Sequence, residues 1–137
     1  MAITGGCLCG AVRYEAKAEP IFSAVCHCTH CQKQGGTAFT TVVAVPMPSF
    51  SMTGELKTYH DTGDSGQAVE RRFCPECGSP LVTECAVMPG LVLIKAGTLD
   101  DVSSLQPGME VYCDSAQPWV HLGGERARFG KMPPPAA

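Results

Sequence analysis

Seven of the nine cysteines in this sequence stand in three short motifs whose spacing is typical of metal ligands. Zn²⁺ in proteins is usually held by four sulfur or nitrogen donors, and closely spaced thiolates supply them well. The motifs are Cys7-Leu8-Cys9, Cys26-His27-Cys28-Thr29-His30-Cys31 and Cys74-Pro75-Glu76-Cys77. We therefore expect a zinc protein that holds two ions per chain.

The strongest single motif is the pair Cys74 and Cys77. Two thiolates separated by two residues can bind one ion from a tight turn. Pro75 stiffens that turn, and Gly78 permits a positive φ after it. A redox dithiol is the alternative, but such a motif usually begins a helix in a βαβ unit, and the sequence shows no such unit. The spacing favours zinc.

The pair Cys7 and Cys9 needs a turn before both thiols can reach one ion. In an extended strand these two side chains would point to opposite faces. Gly5, Gly6 and Gly10 permit the chain to turn there. With Cys74 and Cys77, the pair would make a closed four-thiolate site, which is the composition of a structural zinc site.

Three clustered thiols then remain: Cys26, Cys28 and Cys31. They lie within six residues, so one loop can present all three to a second ion. Three protein ligands leave a tetrahedral zinc with one open position, as catalytic zinc sites have. The alternative is that a fourth protein ligand closes this site, and the candidates are Cys85, Cys113, His27 and His30.

Several neighbouring residues allow more than one interpretation. His27 and His30 could each serve as a base, a donor to a thiolate or an exposed loop residue. Cys85 and Cys113 are interpreted as small buried hydrophobic residues. Trp119 could line the substrate pocket or fill the core, and the core is favoured because large aromatic side chains usually serve packing.

Composition narrows the function classes. The chain has 137 residues, 45% of them hydrophobic, and a net charge of −3, which is typical of one globular domain and not of a nucleic-acid-binding protein. No apolar stretch approaches the roughly 20 residues of a membrane span, and no secretion signal is evident. An odd number of cysteines without export favours metal binding in the cytoplasm over disulfides. The pattern predicts no particular oligomeric state.

Short apolar runs alternate with Gly, Pro and Asp and predict a mostly β domain over residues 1–130. One helical turn is expected at Thr29–Gln34, ended by Gly35 and Gly36. The Pro-rich segment 131–137 is expected to be a flexible tail. The predicted strands are Ala11–Ala16, Ile21–Val25, Phe39–Val45, Glu55–Tyr59, Val69–Phe73, Leu81–Glu84, Leu91–Ala96 and Glu110–Cys113.

Four ordered blocks make the chain resemble the glutathione-dependent formaldehyde-activating enzymes, a family that shares its domain with centromere protein V. Gln32 and Thr37 stand where that family often has Arg and Ser. The blocks are Gly6-Cys7-Leu8-Cys9-Gly10-Ala11-Val12-Arg13-Tyr14, Cys26-His27-Cys28-Thr29-His30-Cys31 with Gly36-Thr37-Ala38-Phe39, Arg72-Phe73-Cys74-Pro75-Glu76-Cys77-Gly78-Ser79-Pro80-Leu81, and Ala116-Gln117-Pro118-Trp119.

The resemblance implies a fold, a division of ligands and an activity. The fold is a small β domain of short antiparallel strands around zinc-binding loops, like that of the Mss4 proteins. The activity joins glutathione to formaldehyde as S-hydroxymethylglutathione, which in reverse is a carbon–sulfur lyase reaction. The implied ligands are Cys7, Cys9, Cys74 and Cys77 for a structural zinc, and Cys26, Cys28 and Cys31 for a catalytic zinc.

Ligand chemistry makes a thiol substrate reasonable for the three-thiol site. Three thiolates on Zn²⁺ leave a net charge of about −1, a weak Lewis acid that suits a soft fourth ligand. A substrate thiol would lose its proton on binding there and could add to an aldehyde carbonyl. Such an open thiolate site is also expected to lose its metal or oxidise readily. A zinc domain that only binds a thiol, a peptide or a protein is the alternative.

Two further groups are candidates for substrate contacts. Backbone N–H groups from Gly35 to Ala38 could hold a developing oxyanion, or form a plain turn. Substrate carboxylates would need a cation. The candidate cations are Arg13, Lys33, Arg72 and Lys95.

Overall fold

A computed structural model describes residues 2–133 of the chain and consists mainly of strands. Residues 1 and 134–137, which include most of the predicted tail, lie outside the described residues. One helix, α1, spans Thr29–Gly35. The strands are β1 (Ile3–Gly6), β2 (Arg13–Ala16), β3 (Phe22–Cys26), β4 (Thr40–Pro46), β5 (Phe50–Thr53), β6 (Lys57–Thr62), β7 (Ala68–Phe73), β8 (Pro80–Cys85), β9 (Leu91–Lys95), β10 (Met109–Val111) and β11 (Ala127–Arg128).

The strands form two sheets. The small sheet has the order β1-β2-β5, and the large sheet has the order β11-β10-β3-β4-β9-β8-β7-β6. Strand β10 pairs in parallel with β3 and with β11, and the other pairs are antiparallel. The predicted mostly β fold is confirmed.

The main core lies between the two sheets. Val12, just before β2, and Tyr14 on β2 pack with Val43, Val45 and Ile94 from the large sheet, and all five are buried. Apolar residues at alternate positions of β2, β4 and β9 produce this layer, since side chains alternate between the faces of a strand. The buried thiols of Cys7 and Cys74 belong to the same cluster, so a set of metal-ligand candidates lies at the edge of the core.

The opposite face of the large sheet carries a second apolar cluster formed by Ala24, Val42, Ala44 and Leu93. Helix α1 follows β3 and begins at the edge of this face. Its N-cap is Cys28, whose sulfur accepts a hydrogen bond from the Cys31 amide at 3.2 Å. The second face therefore positions the cysteines of the 26–31 motif.

All eight predicted strands occur, with ends shifted by up to three residues. The predicted helical turn also occurs and runs one residue further, to Gly35, with Gly36 as its left-handed cap. Three strands were missed: β1, β5 and β11. Strand β1 was missed because its sequence Ile-Thr-Gly-Gly has only one apolar residue and reads as a turn. No helix within residues 2–133 is long and apolar enough to cross a membrane.

Truncating a side chain in the main core is expected to destabilise the fold. Ile94 is completely buried between the sheets, so Ile94→Ala is expected to lower the free energy of unfolding by about 2–5 kcal/mol. The same change at Ile21, which is 58% exposed, is expected to cost less than about 1 kcal/mol. Urea unfolding of both variants in excess zinc measures the difference. Equal losses would contradict this placement of the core.

Candidate metal centres

Four thiols from two distant turns meet beside the main core. Cys7 and Cys9 lie on the turn between β1 and β2, and Cys74 and Cys77 lie on the turn between β7 and β8. Their four sulfur atoms all lie within 4.8 Å of one another. The turn expected at Cys7 is present: the Gly10 amide donates to the Cys7 carbonyl at 3.2 Å, and Gly10 has a φ of 82°.

The spacing of these sulfur atoms fits a tetrahedral metal. Zn–S bonds of about 2.3 Å place neighbouring sulfurs of a tetrahedral site about 3.8 Å apart. The distance from Cys7 Sγ to Cys9 Sγ is 3.6 Å, and that from Cys9 Sγ to Cys74 Sγ is 3.8 Å. The four donors could therefore hold one ion with little rearrangement.

Nearby donors favour the thiolate form of Cys7 and Cys77. The Ala11 amide would lower the pKa of Cys9, but hydrogen bonding to Cys7 and burial raise it to about 12. The Val12 amide donates to Cys7 Sγ at 3.2 Å. The side chain and backbone of Ser79 hydrogen-bond to Cys77 and lower the pKa of that thiol to about 5. The Ser79 hydroxyl also accepts from the Leu8 amide at 3.0 Å, which links the two turns. Deprotonated sulfur is the form that binds metal.

The second group is local in sequence. Cys26 ends β3, Cys28 caps α1 and Cys31 lies in its first turn. Their sulfur atoms lie within 4.8 Å of one another. The helix produces this convergence because residues three apart share one side of a helix. One strand end and one helix start are enough to gather three thiols.

Within residues 2–133, no fourth Cys, His, Asp or Glu ligand atom lies within 4.8 Å of all three sulfurs. His30 Nδ1 is instead 2.7 Å from Asp61 Oδ2, and His27 Nε2 is 2.8 Å from Glu110 Oε1. Cys85 packs against the second apolar cluster, and Cys113 lies near His27 and Glu110. None of the four proposed closing ligands completes this group.

Positive charge lies beside the three thiols. Arg71 is buried, and its guanidinium donates to Cys31 Sγ at 3.8 Å. Hydrogen bonds from Cys26 and Cys28 lower the pKa of Cys31, and the charges of Lys95 and Arg71 lower it further. The same hydrogen bonds raise the pKa of Cys26, since one negative charge is shared among the three sulfurs. The environment therefore favours the thiolate form of Cys31, while the pKa values of Cys26 and Cys28 are raised.

A cavity of about 370 Å³ opens next to Arg71 and α1. Arg71 Nε donates to Asp61 Oδ2 at 2.8 Å, and the same oxygen contacts His30. Burial would raise the pKa of Asp61, but hydrogen bonds from His30 and Arg71 outweigh it, so the pKa is lowered. The lining residues are His30, Lys33, Gln34, Tyr59, Asp61 and Arg71.

His27 points away from the thiols and joins a buried ion-pair network. Its Nε2 donates to Glu110, because an ionised carboxylate only accepts. Arg126 donates to the other Glu110 oxygen at 2.9 Å. His27, Glu110 and Cys113 could be read as a third metal group. The guanidinium of Arg126 already supplies the positive charge that Glu110 needs, so we interpret this group as an ion-pair network.

The structure separates the candidate cations. Arg13 binds Asp100 and Arg72 binds Glu84 on the surface, so neither faces the three thiols. Lys33 lines the cavity and Lys95 is buried near Cys31. Arg71 was not among the predicted cations, because strand register decides which face of the sheet its side chain lies on.

Two further expectations change. Trp119 is 68% exposed, so its assignment to the core was wrong. It lies in an irregular segment after β10, where no strand periodicity directs it inward. The amides of Gly36 and Thr37 already donate to Lys33 and Gln32 carbonyls, which makes this segment a helix cap. These two amides are therefore not free for the suggested oxyanion site.

Comparison with known proteins identifies the family. The family model described as glutathione-dependent formaldehyde-activating enzyme matches residues 2–115. The chain belongs to this family. The predicted resemblance is therefore confirmed, and the family suggests glutathione-dependent formaldehyde activation with glutathione as the thiol partner.

Other comparisons concern the fold alone. No curated protein sequence matches the chain. The crystal structure of a Rhodobacter sphaeroides protein, a structural-genomics target, is similar with a TM-score of 0.60. The alignment covers 74% of this chain and 91% of that chain at 20% sequence identity. Identity at that level supports a shared fold and nothing more specific.

Gln117, which lies beyond the region matched by the family model, contacts the residue that follows the three thiols. Gln32, at the position where that family often has Arg, donates to the carbonyls of His27 and Ser115 at 2.6 and 3.0 Å. Its own side-chain oxygen accepts from Gln117 at 2.7 Å. Gln32 therefore holds α1 against the segment that follows β10. This contact explains an amide at the position directly after the ligand motif.

Removing the charge of Glu110 is expected to destabilise this formaldehyde-activating family member. Burial would raise the pKa of Glu110, but hydrogen bonds from His27 and Arg126 outweigh it and lower the pKa. Glu110→Gln leaves Arg126 without its buried partner, so we expect a loss of roughly 3 kcal/mol at pH 7. Urea unfolding measures it, with the exposed Glu125→Gln as the control.

The pH dependence of that difference follows from the lowered pKa. The ionised form of Glu110 stabilises the fold fully above its ordinary pKa of about 4.3, and this contribution is lost as the pH falls through the lowered value. The unfolding free energies of wild type and Glu110→Gln are therefore expected to converge as the pH falls below about 4. A difference that stays constant down to pH 3 would contradict an ionised Glu110.

Proposed function

We propose that this chain is a zinc-dependent carbon–sulfur lyase that forms and cleaves the adduct of glutathione and formaldehyde, S-hydroxymethylglutathione. The observation that carries the proposal is the group of Cys26, Cys28 and Cys31. Within the described residues it has no fourth protein ligand, and it lies beside the cavity that contains Arg71. Three protein ligands and an adjacent cavity are what a catalytic zinc site needs.

The two thiol groups would divide the work. Cys7, Cys9, Cys74 and Cys77 would hold a structural zinc that fastens the turn of the small sheet to the β7–β8 turn of the large sheet. Cys26, Cys28 and Cys31 would hold the second zinc, with one position open. All nine cysteines are free thiols, and a reducing compartment such as the cytoplasm would keep them so.

A zinc ion bound at the three thiols would lower the pKa of a substrate thiol at the open position, so that its sulfur is a thiolate. The protein's own residues would orient the two reactants. In the forward direction a bond forms between the glutathione sulfur and the carbonyl carbon, and the thiol proton ends on the former carbonyl oxygen. In the reverse direction that carbon–sulfur bond breaks. Holding both reactants in one site supplies much of the rate.

The cavity supports a small peptide thiol as the substrate. Its volume of about 370 Å³ falls in the range of about 300–1,000 Å³ that is typical of small-molecule sites. Lys33 is exposed at its edge, and Arg71 is buried in its wall beside Cys31. Two cations at different depths suit the two carboxylates of glutathione. Arg71 keeps its orientation through Asp61, since Nε is 2.8 Å from that carboxylate.

Metal analysis tests the division of the thiols. Wild-type protein reconstituted with zinc under anaerobic conditions is expected to hold about two ions per chain, since two groups of donors fit the metal. The triple variant Cys26→Ser, Cys28→Ser, Cys31→Ser is expected to hold about one. Cys85→Ser and Cys113→Ser are the matched controls and are expected to keep two. An unchanged count in the triple variant would overturn the second zinc site.

Kinetics test the reaction. Wild type is expected to accelerate S-hydroxymethylglutathione formation above the spontaneous rate, as followed by NMR. Arg71→Met is expected to raise the KM for glutathione roughly tenfold or more, because a charged hydrogen bond contributes about 1.5–3 kcal/mol. Arg72→Met is the control, because the side chain of Arg72, the neighbour of Arg71 in sequence, binds Glu84 and not the site. No acceleration with both zinc ions present would favour a non-catalytic binding domain.

A further inference from the structure

The three-thiol group shares one face of the large sheet with a buried lysine. Residues directly opposite on antiparallel strands, and residues two apart on one strand, lie on the same face. Cys26 on β3 is opposite Thr40 on β4, and Val42, two residues on, is opposite Lys95 on β9. Continuing across β8, the same face carries Arg71 on β7. Lys95 therefore projects from the face that bears both Cys26 and Arg71.

Lys95 differs from the other buried cations near the site in having no acidic partner among residues 2–133. Arg71 pairs with Asp61, and Arg126 pairs with Glu110. Lys95 is 6% exposed, yet it takes part in none of the ion pairs among residues 2–133. A buried charge without a partner is costly, so a compensating anion is to be expected close by.

The thiols are the available source of that anion. The Lys95 ammonium lies close enough to Cys31 to interact with it electrostatically. The hydroxyls of Thr40 and Thr83, on the same face, are also buried without a hydrogen-bond partner. This part of the face is therefore polar and positively charged beneath a group of thiolates, unlike the apolar cluster next to it.

We propose that Lys95 is a specificity-determining residue that makes the three-thiol site select an anionic thiolate, and not a neutral donor, as its fourth ligand. The inference rests on the proposed zinc at this site. Zn²⁺ with three thiolates has a charge of −1, and Lys95 brings the total to zero, while Asp61 neutralises Arg71. Binding of a substrate thiolate then makes the net charge of the site only −1. Without Lys95 the same step would reach −2 in a partly buried site, which is unfavourable.

Ligand selectivity of the cobalt-substituted protein tests this. Titration with 2-mercaptoethanol measures thiolate binding, and titration with imidazole measures a neutral ligand at the same open position, both by the Co²⁺ absorption bands. Lys95→Met is expected to weaken 2-mercaptoethanol binding at least roughly tenfold and to change imidazole binding less than about twofold. Lys95→Arg is expected to restore thiolate binding, and the exposed Lys57→Met is the control.

The outcomes separate a charge effect from a structural one. Equal weakening of both ligands by Lys95→Met, or unchanged thiolate binding, would overturn the role of Lys95. The neutral variant Lys95→Gln is a second probe, and it is expected to match Lys95→Met. No spectral response of wild type to either ligand would remove the open site and with it the proposed function. A selective response without catalysis of S-hydroxymethylglutathione formation would leave the role of Lys95 standing and overturn only the reaction.

Discussion

Two turns that are 65 residues apart in sequence meet through the thiols of Cys9 and Cys74, whose sulfur atoms lie 3.8 Å apart. One turn belongs to the small sheet and the other to the large sheet, so this contact fixes how the two sheets lie on each other. Four sulfurs gathered this closely repel one another when ionised, and a divalent cation removes that repulsion. The packing of the main core depends on this contact between the two turns, and so does the position of the second face of the large sheet.

The second thiol group is made by local structure on the sheet that the first group anchors. Cys28 caps α1 with its own sulfur, so the residue that ends the extended segment also begins the helix. Its proposed ligand role and its capping role use the same sulfur atom. Beneath it, the network of His27 and Glu110 holds the loop from the other side of the sheet. The three thiols are thus fixed by one cap and one buried ion pair.

How much of this was predictable depends on whether a feature is local. The spacing within residues 26–31 indicated a three-thiol group without knowledge of the fold, because one short segment delivers it. The pairing of Cys7 with Cys74 was inferred by counting donors and was then implied by the family resemblance. Arg71 was missed although Arg72 was considered, because the face on which each side chain lies depends on strand register, and composition does not reveal register. Strand β1 was missed because glycines in a strand resemble a turn.

The negative charge of the three thiols explains why buried cations lie on the face of the large sheet that carries Cys26. An apolar residue in place of Lys95 or Arg71 could extend the apolar cluster of this face. It would not carry the free-energy cost of removing a charge from water. Retaining two buried cations is reasonable only where negative charge faces them, and the three thiols supply it. Arg71 pairs with Asp61 through Nε, so its charge is balanced within the protein while its terminal nitrogens still face the thiols and the cavity. Lys95 has no such partner among the described residues, and its charge remains for the thiolates and for an anion that joins them.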